Sequence, residues 1–322
     1  MCITGALFGQ TLRIASRWGE DGDAICATQD ALSMVSSLPD ESISLVVTSP
    51  PYNIGKSYET RSDLRNYLEV HGEVVRALYR VLDRRGSICW QVGNFVDKGE
   101  IYPLDIFYYR IFKKVGMKLR NRIIWHFNHG LHAKRRFSGR YETILWFTKG
   151  DDYTFNLDDV RVASKYPGKR SHKIGRRGAP SGNPLGKNPS DVWALLNEEW
   201  ERGIWEIPNV KAGHPEKTIH PCQFPIELAE RCILALSNPG EWVLDPYMGS
   251  GSTLLAALRR GRRAIGCDVN GEYVQLTISR LQEYAEGRLR CRPLGRQVQD
   301  SQGKVSRYPT EWQSGQQSLL PS

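Results

Sequence analysis

The 7 cysteines, at positions 2, 26, 89, 222, 232, 267 and 291, form no CxxC pair, which excludes a zinc ribbon and a thioredoxin-like dithiol. Reduced, mostly buried thiols are expected instead. No apolar run approaches the roughly 18 to 20 residues that a bilayer-crossing helix requires, and the mean hydropathy is -0.46, so no membrane association is expected. Met1 to Gly22 lack the basic start, clean apolar stretch and small-residue cleavage site of a secretory signal, and the expected location is the cytoplasm. There is no GxxxxGK(S/T) phosphate loop and no internal repeat. Acidic residues are in deficit, with 35 Asp and Glu against 44 Lys and Arg over 322 residues. The resulting charge of +9 favours a polyanionic partner.

What is present is an alternation of strand and helix patterns. Ile43 to Thr48 reads as a buried strand stopped by Pro50 and Pro51, which cannot donate to a ladder. Leu64 to Leu82 has helical apolar spacing, and Gly86 is expected to end that segment. Ser87–Val92, Arg122–Phe127 and Glu142–Phe147 are further strand candidates, with an amphipathic helix over Pro103–Val115. After residue 214 come a helix (Pro225–Leu236), a strand (Glu241–Leu244), a glycine loop, a helix (Thr253–Arg260), a strand (Arg263–Cys267) and a helix (Glu272–Tyr284). This order predicts an α/β protein with a mostly parallel sheet. Residues 151–214 differ, because Pro and Gly recur throughout and Arg161, Lys165, Lys169, Arg170, Lys173, Arg176 and Arg177 run with no acid between them. Four segments follow: 1–150, a loop-rich insert at 151–214, 215–290, and a flexible Gln, Ser and Gly-rich tail at 291–322.

Two loops can carry chemistry. In Asp245-Pro246-Tyr247-Met248-Gly249-Ser250-Gly251 the glycines permit close backbone approach, and Asp268 stands 17 residues after Gly251 at the end of the next strand. That suits a nucleoside cofactor whose ribose bonds the acid, although a tight strand-to-helix turn explains the glycines equally. In Ser49-Pro50-Pro51-Tyr52 two prolines stiffen the backbone, so a hydroxyl, a carbonyl and an aromatic face can meet one planar amine. A rigid turn or a proline-motif ligand are the plainer readings.

Taken together, Ser49-Pro50-Pro51-Tyr52 and the 245–251 loop resemble the S-adenosylmethionine-dependent DNA amino-methyltransferases of bacterial type II restriction-modification systems. The chain order of catalytic motif, insert and cofactor loop is similar to the permuted β class, over residues 24 to 284. The resemblance implies a Rossmann-like methyltransferase fold, a seven-stranded, mostly parallel sheet with one antiparallel strand and helices on both faces. The insert becomes the target-recognition element, flanked by the catalytic and cofactor-binding halves. S-adenosyl-L-methionine is the implied cofactor, with no metal. His220 and Pro221 look like the family's cofactor motif, Asp30 stands where the family has Gly-Asp, and Asp245, Pro246, Tyr247, Gly249, Ser250, Gly251 and Asp268 complete the implied cofactor set.

By the same resemblance a base flipped from double-stranded DNA stacks on Tyr52 and donates its amino hydrogens to Ser49 and the Pro50 carbonyl. Ser before the two prolines points to cytosine N4, with adenine N6 as the alternative. Thr48–Lys56 and Gly186–Trp193 look similar to N4-cytosine enzymes acting on palindromes such as CCCGGG. The other partners implied are a cognate endonuclease as functional counterpart, and no more than a weak dimer of a chain held on the nucleoid through DNA. Arg135, Arg136 and the basic run of the insert are expected to contact phosphates. Three histidines, His126, His129 and His132, read as part of a basic loop and not as metal ligands. Cys222 imitates the thiolate of cytosine C5 enzymes but precedes the cofactor loop, so it is expected to be a packed thiol. RNA or protein methylation, and a DNA-binding protein without catalysis, are the readings from other classes.

Overall fold

The computed structural model describes residues 2–4, 11–53, 62–127, 133–164, 166, 168–193, 207–210 and 214–294. Its elements in chain order are β1 (Cys2–Thr4), β2 (Thr11–Ala15), β3 (Ala24–Thr28), α1 (Ala31–Ser37), β4 (Ile43–Thr48), α2 (Leu64–Val81), β5 (Leu82–Val92), β6 (Asn94–Asp97), β7 (Glu100–Pro103), α3 (Leu104–Lys114), β8 (Lys118–His126), β9 (Tyr141–Thr148), α4 (Leu157–Val160), β10 (Val192–Trp193), α5 (Ile226–Leu236), β11 (Trp242–Asp245), α6 (Ser252–Arg259), β12 (Arg263–Asp268) and α7 (Gly271–Ala285).

Ten strands form one sheet in the order β1-β2-β3-β12-β11-β4-β5-β9-β8-β10. Every pairing from β2 to β5 is parallel, while β9 runs antiparallel to both neighbours, β5 and β8. The stretch from β3 to β8 is the seven-stranded sheet with one antiparallel member. The sheet is wider than expected, because β2 and β1 extend one edge and β10 pairs parallel to β8 at the other.

Alternation along the strands divides the core into two layers. In β4, Leu45 and Val47 face the layer built with α5, α6 and α7, whereas Val46 faces the layer built with α1, α2 and α3, where Ile43 joins it because the strand is irregular between Ile43 and Leu45. Helices therefore cover both faces, as a sheet buried on both sides demands. Each fully buried Leu or Val of β4 contributes about 1.5–3 kcal/mol by leaving water. Helix starts are fixed by side-chain caps: Asp30 accepts from Ser33 N, Asp63 from Arg65 N and Asn270 from Glu272 N.

Helix α2 ends at Val81, not near Gly86, and the chain passes straight into β5. Gly86 lies instead where the β4–β5 register slips between the Ile43–Leu82 and Leu45–Ser87 pairs. A Cβ there would sit 2.7 Å from the Leu82 side chain, so glycine is required by packing. The described part of 151–214 has little regular structure, yet Val160 and Trp193 are buried in the main core. Its most exposed portion is a hairpin-like loop closed by Ser171 N donating to Ala179 O at 2.8 Å and Ser181 N to Lys169 O at 2.9 Å. Of the 291–322 tail, residues 295–322 lie outside the described residues.

Candidate active site

Strands β4 and β11 are adjacent and parallel, so the loops that leave their carboxyl ends emerge side by side although they are distant in the chain. Two hydrogen bonds join them: Thr48 Oγ1 donates to Asp245 Oδ1 at 2.6 Å, and Thr253 Oγ1 donates to the Val47 carbonyl at 3.1 Å. Ser49 to Tyr52, Asp30, Pro246 to Ser250, His220 and Asp268 line one cavity of about 930 Å³ at this edge. That volume lies at the upper end of the roughly 300–1,000 Å³ of ligand sites, enough for a nucleoside-sized cofactor beside a second planar ligand.

The glycine loop is held by its surroundings. Gly249 and Gly251 both have positive φ, +49° and +75°. A Cβ on Gly249 would lie 2.8 Å from His220 Nε2, and one on Gly251 2.5 Å from Thr277 Cγ2. Gly251 thus serves helix packing and, unlike Gly249, does not line the cavity. Asp268 sits where β12 ends, with Oδ2 accepting from Gly249 N at 3.1 Å and Oδ1 from Asn270 N at 2.8 Å. Burial raises its pKa, and each carboxylate oxygen keeps a further acceptor site. Asp30 is held below the usual carboxylate range by the Ser33 side-chain and backbone hydrogen bonds at the start of α1. Asp268 also reaches β3 through its carbonyl, which accepts from Gln29 N at 3.0 Å.

Besides the place of Gly251 in the cofactor set, three expectations are corrected here. Asp245 is fully buried beneath the loop and does not line the cavity. Its Oδ1 accepts from Thr48 and from Tyr247 N, and burial pushes its pKa up to about 6. Cys222 is not a packed thiol, since it is exposed and lines the cavity, beside the exposed Pro221. Arg161 is not available to phosphate: its side chain pairs with Asp158 at 2.6 Å and donates to Gly186 O at 3.1 Å. Arg135, Arg136, Lys169, Arg170, Lys173, Arg176 and Arg177 are exposed. Lys165, His129 and His132 lie outside the described residues.

Around the prolines the loop is tied down from below. Tyr67 of α2 donates its hydroxyl to the Pro51 carbonyl at 2.6 Å and, 2.8 Å from Tyr108 Oη, receives that hydroxyl's proton in turn. Ser49 Oγ lies 2.9 Å from Tyr52 Oη. Tyr52 Oη donates to Glu142 Oε2 at 3.3 Å, and Gln91 Nε2 donates to the same oxygen at 2.5 Å. Sequence reasoning missed Gln91 and Glu142. The available signal was the antiparallel strand, because an acid near the start of β9 falls at the edge where every parallel strand ends. His71 also lines the cavity, and burial pushes its pKa down to about 4.

An open parallel sheet, a glycine loop after one strand and an acid ending the next define an α/β protein of the methyltransferase fold. The family described as DNA methylase, N6_N4_Mtase, matches residues 43–279, and the chain belongs to it. The type II methyltransferase M.BglII of Bacillus subtilis is 46% identical over 248 residues, 77% of this chain and 66% of that protein. Type II methyltransferase M.ScaI of Streptomyces caespitosus is 32% identical over 275 residues, covering 83% of this chain and 84% of its own. Among solved structures, the cytosine-N4-specific PvuII DNA methyltransferase superposes with a TM-score of 0.59 at 22% identity, covering 79% of this chain and 85% of that one. TTHA0409 of Thermus thermophilus, solved in complex with S-adenosyl-L-methionine, gives 0.55 at 27% identity, with 85% of this chain and 99% of that one covered.

Proposed function

We propose that the chain transfers a methyl group from S-adenosyl-L-methionine to the exocyclic N4 of a cytosine in a specific double-stranded DNA site, as the modification half of a restriction-modification system. The observation that carries this reading is the opening of the Ser49–Tyr52 loop and the Gly249 loop onto one cavity, with Asp268 at one part of its wall and Ser49 at another.

The donor set suits the cofactor. Asp268 offers remaining acceptor sites to ribose hydroxyls, Asp30 adds a second carboxylate, and the main chain around Gly249 approaches without a side chain. When bound, the cofactor supplies a methyl group on a sulfonium centre. The chain then has to bind, orient and desolvate the amine. Tyr52 offers its ring face to the flipped base, a stack worth about 1–3 kcal/mol. Ser49 Oγ and the Pro50 carbonyl accept the two amino hydrogens, which turns the nitrogen lone pair out of the ring plane toward the methyl. Ser49 in place of an acidic or amide side chain favours cytosine, by the resemblance to N4 enzymes.

The test is to incubate the full chain with cofactor and unmethylated duplex DNA that includes CCCGGG, digest to nucleosides and identify the product by mass spectrometry. N4-methylcytosine is expected. N6-methyladenine would move the target base and leave the cavity's chemistry standing, and the absence of any modified nucleoside would overturn the reading.

A further inference from the structure

Behind Ser49 the cavity wall holds polar groups that orientation of the amine does not use: the Tyr52 hydroxyl, Glu142 and Gln91. Tyr52 Oη carries one proton. When it donates to the carboxylate of Glu142, which accepts only, its oxygen is left to accept from Ser49 Oγ. Ser49 then points its own proton away from the amine and turns lone pairs toward it. Gln91, donating to Glu142 Oε2 at 2.5 Å, fixes the carboxylate from behind. Resting on the amino-methyltransferase reading, we propose that Ser49, Tyr52 and Glu142 form a proton relay that takes the hydrogen lost by the methylated amine to the Glu142 carboxylate.

Atoms and charge balance at each step. The amine lone pair forms the new N–C bond while the pair of the broken C–S bond stays on sulfur, so the positive charge moves to nitrogen. The nitrogen gives one N–H proton to Ser49 Oγ, Ser49 passes its original proton to Tyr52 Oη, and Tyr52 passes its own to Glu142. Glu142 ends neutral and returns the proton to water after product leaves. A serine hydroxyl is too weak a base to keep that proton, and the relay gives it somewhere to go. Polarisation along the chain also strengthens Ser49 as an acceptor before transfer begins. Glu142 acts through Tyr52 and Ser49 and is therefore a positioning and proton-accepting residue remote from the reacting atoms.

Two conservative variants separate this from a structural role. Tyr52→Phe keeps the stacking ring and removes the hydroxyl, while Glu142→Gln keeps an acceptor for Tyr52 but cannot take a proton. Single-turnover methylation by each is expected to fall about a hundredfold, with the double variant no slower than the slower single one and with DNA and cofactor affinities unchanged. The acid limb of the wild-type pH–rate profile should disappear in Glu142→Gln. Full rates in both variants, additive losses, or an acid limb retained in Glu142→Gln would overturn the relay while an active wild type leaves the methyltransferase reading intact. A wild-type chain inert on DNA overturns both.

Discussion

At the scale of single residues, two aspartates that look alike in sequence do different work. Asp268→Ala should weaken cofactor binding by at least about tenfold in a direct titration, since a charge-assisted hydrogen bond is worth about 1.5–3 kcal/mol. An unchanged Kd would remove Asp268 from the site. Asp245→Asn should leave that Kd nearly unchanged and alter stability instead. With a folded pKa raised from 3.8 to about 6 by burial, Asp245 binds its proton more tightly folded than unfolded. Its contribution to stability is present below about pH 4 and lost as pH rises through about 6, by roughly 3 kcal/mol. Urea unfolding of both proteins at the two ends of that window checks this: the variant should gain on the wild type toward neutral pH, and a constant gap would refute it. From sequence alone, Asp245 and Asp268 both end apolar strands before the site. Only the position of Thr48 across the sheet shows that one is turned inward. Arg161 was misread for a similar reason, since the acid that neutralises it, Asp158, lies just before the basic run and not within it.

Elements explain which parts of the sheet were legible. Strands β4, β11 and β12 and the 87–92 part of β5 are apolar runs ended by proline, glycine or acid, and the sequence declares them, whereas the start of β5, Leu82 to Gly86, reads in sequence as the end of a helix. The pair β3 and α1 went unread, because Ala24–Thr28 is AICAT, too small and mixed to stand out without its partner β12 beside it. Sheet width was equally hidden: β1 and β10 are three and two residues long and exist only through their neighbours. One element-level contact bears on catalysis. The Tyr67 hydroxyl couples α2 to the Pro51 carbonyl, and both prolines need that anchor because neither can donate a hydrogen bond of its own. Tyr67→Phe leaves the part-buried Pro51 carbonyl short of a partner and should cost about 1 kcal/mol of stability. Ser49 would lose its setting, so turnover should fall more than cofactor affinity. Equal losses in both, or neither, would show that the loop is held by other means.

Over the whole molecule, the formal charge of +9 matters through its distribution. The arginines that brace the core are committed: Arg259 and Arg260 to Glu230, and Arg231 and Arg292 to Glu227. Seven cations of Arg135, Arg136 and the 169–177 stretch are exposed on the surface instead, and the closed loop between Lys169 and Ser181 presents most of them together. If that loop tracks the DNA backbone, each contact releases condensed counterions, and log K for duplex DNA falls against log salt by about 0.9 per phosphate. Replacing Lys173, Arg176 and Arg177 by alanine should therefore reduce the slope by about 2.7. The loop's closure uses main-chain bonds between residues 169–171 and 178–181, so the triple variant should fold, and its cofactor affinity should match the wild type. Fluorescence anisotropy with one labelled duplex across a salt series measures both slopes. Equal slopes would mean that this loop stands clear of the phosphates and that the charge steering DNA to the cavity lies elsewhere on the chain. A reduced slope with retained cofactor binding would separate a DNA-holding insert from the catalytic sheet to which its buried Val160 and Trp193 anchor it.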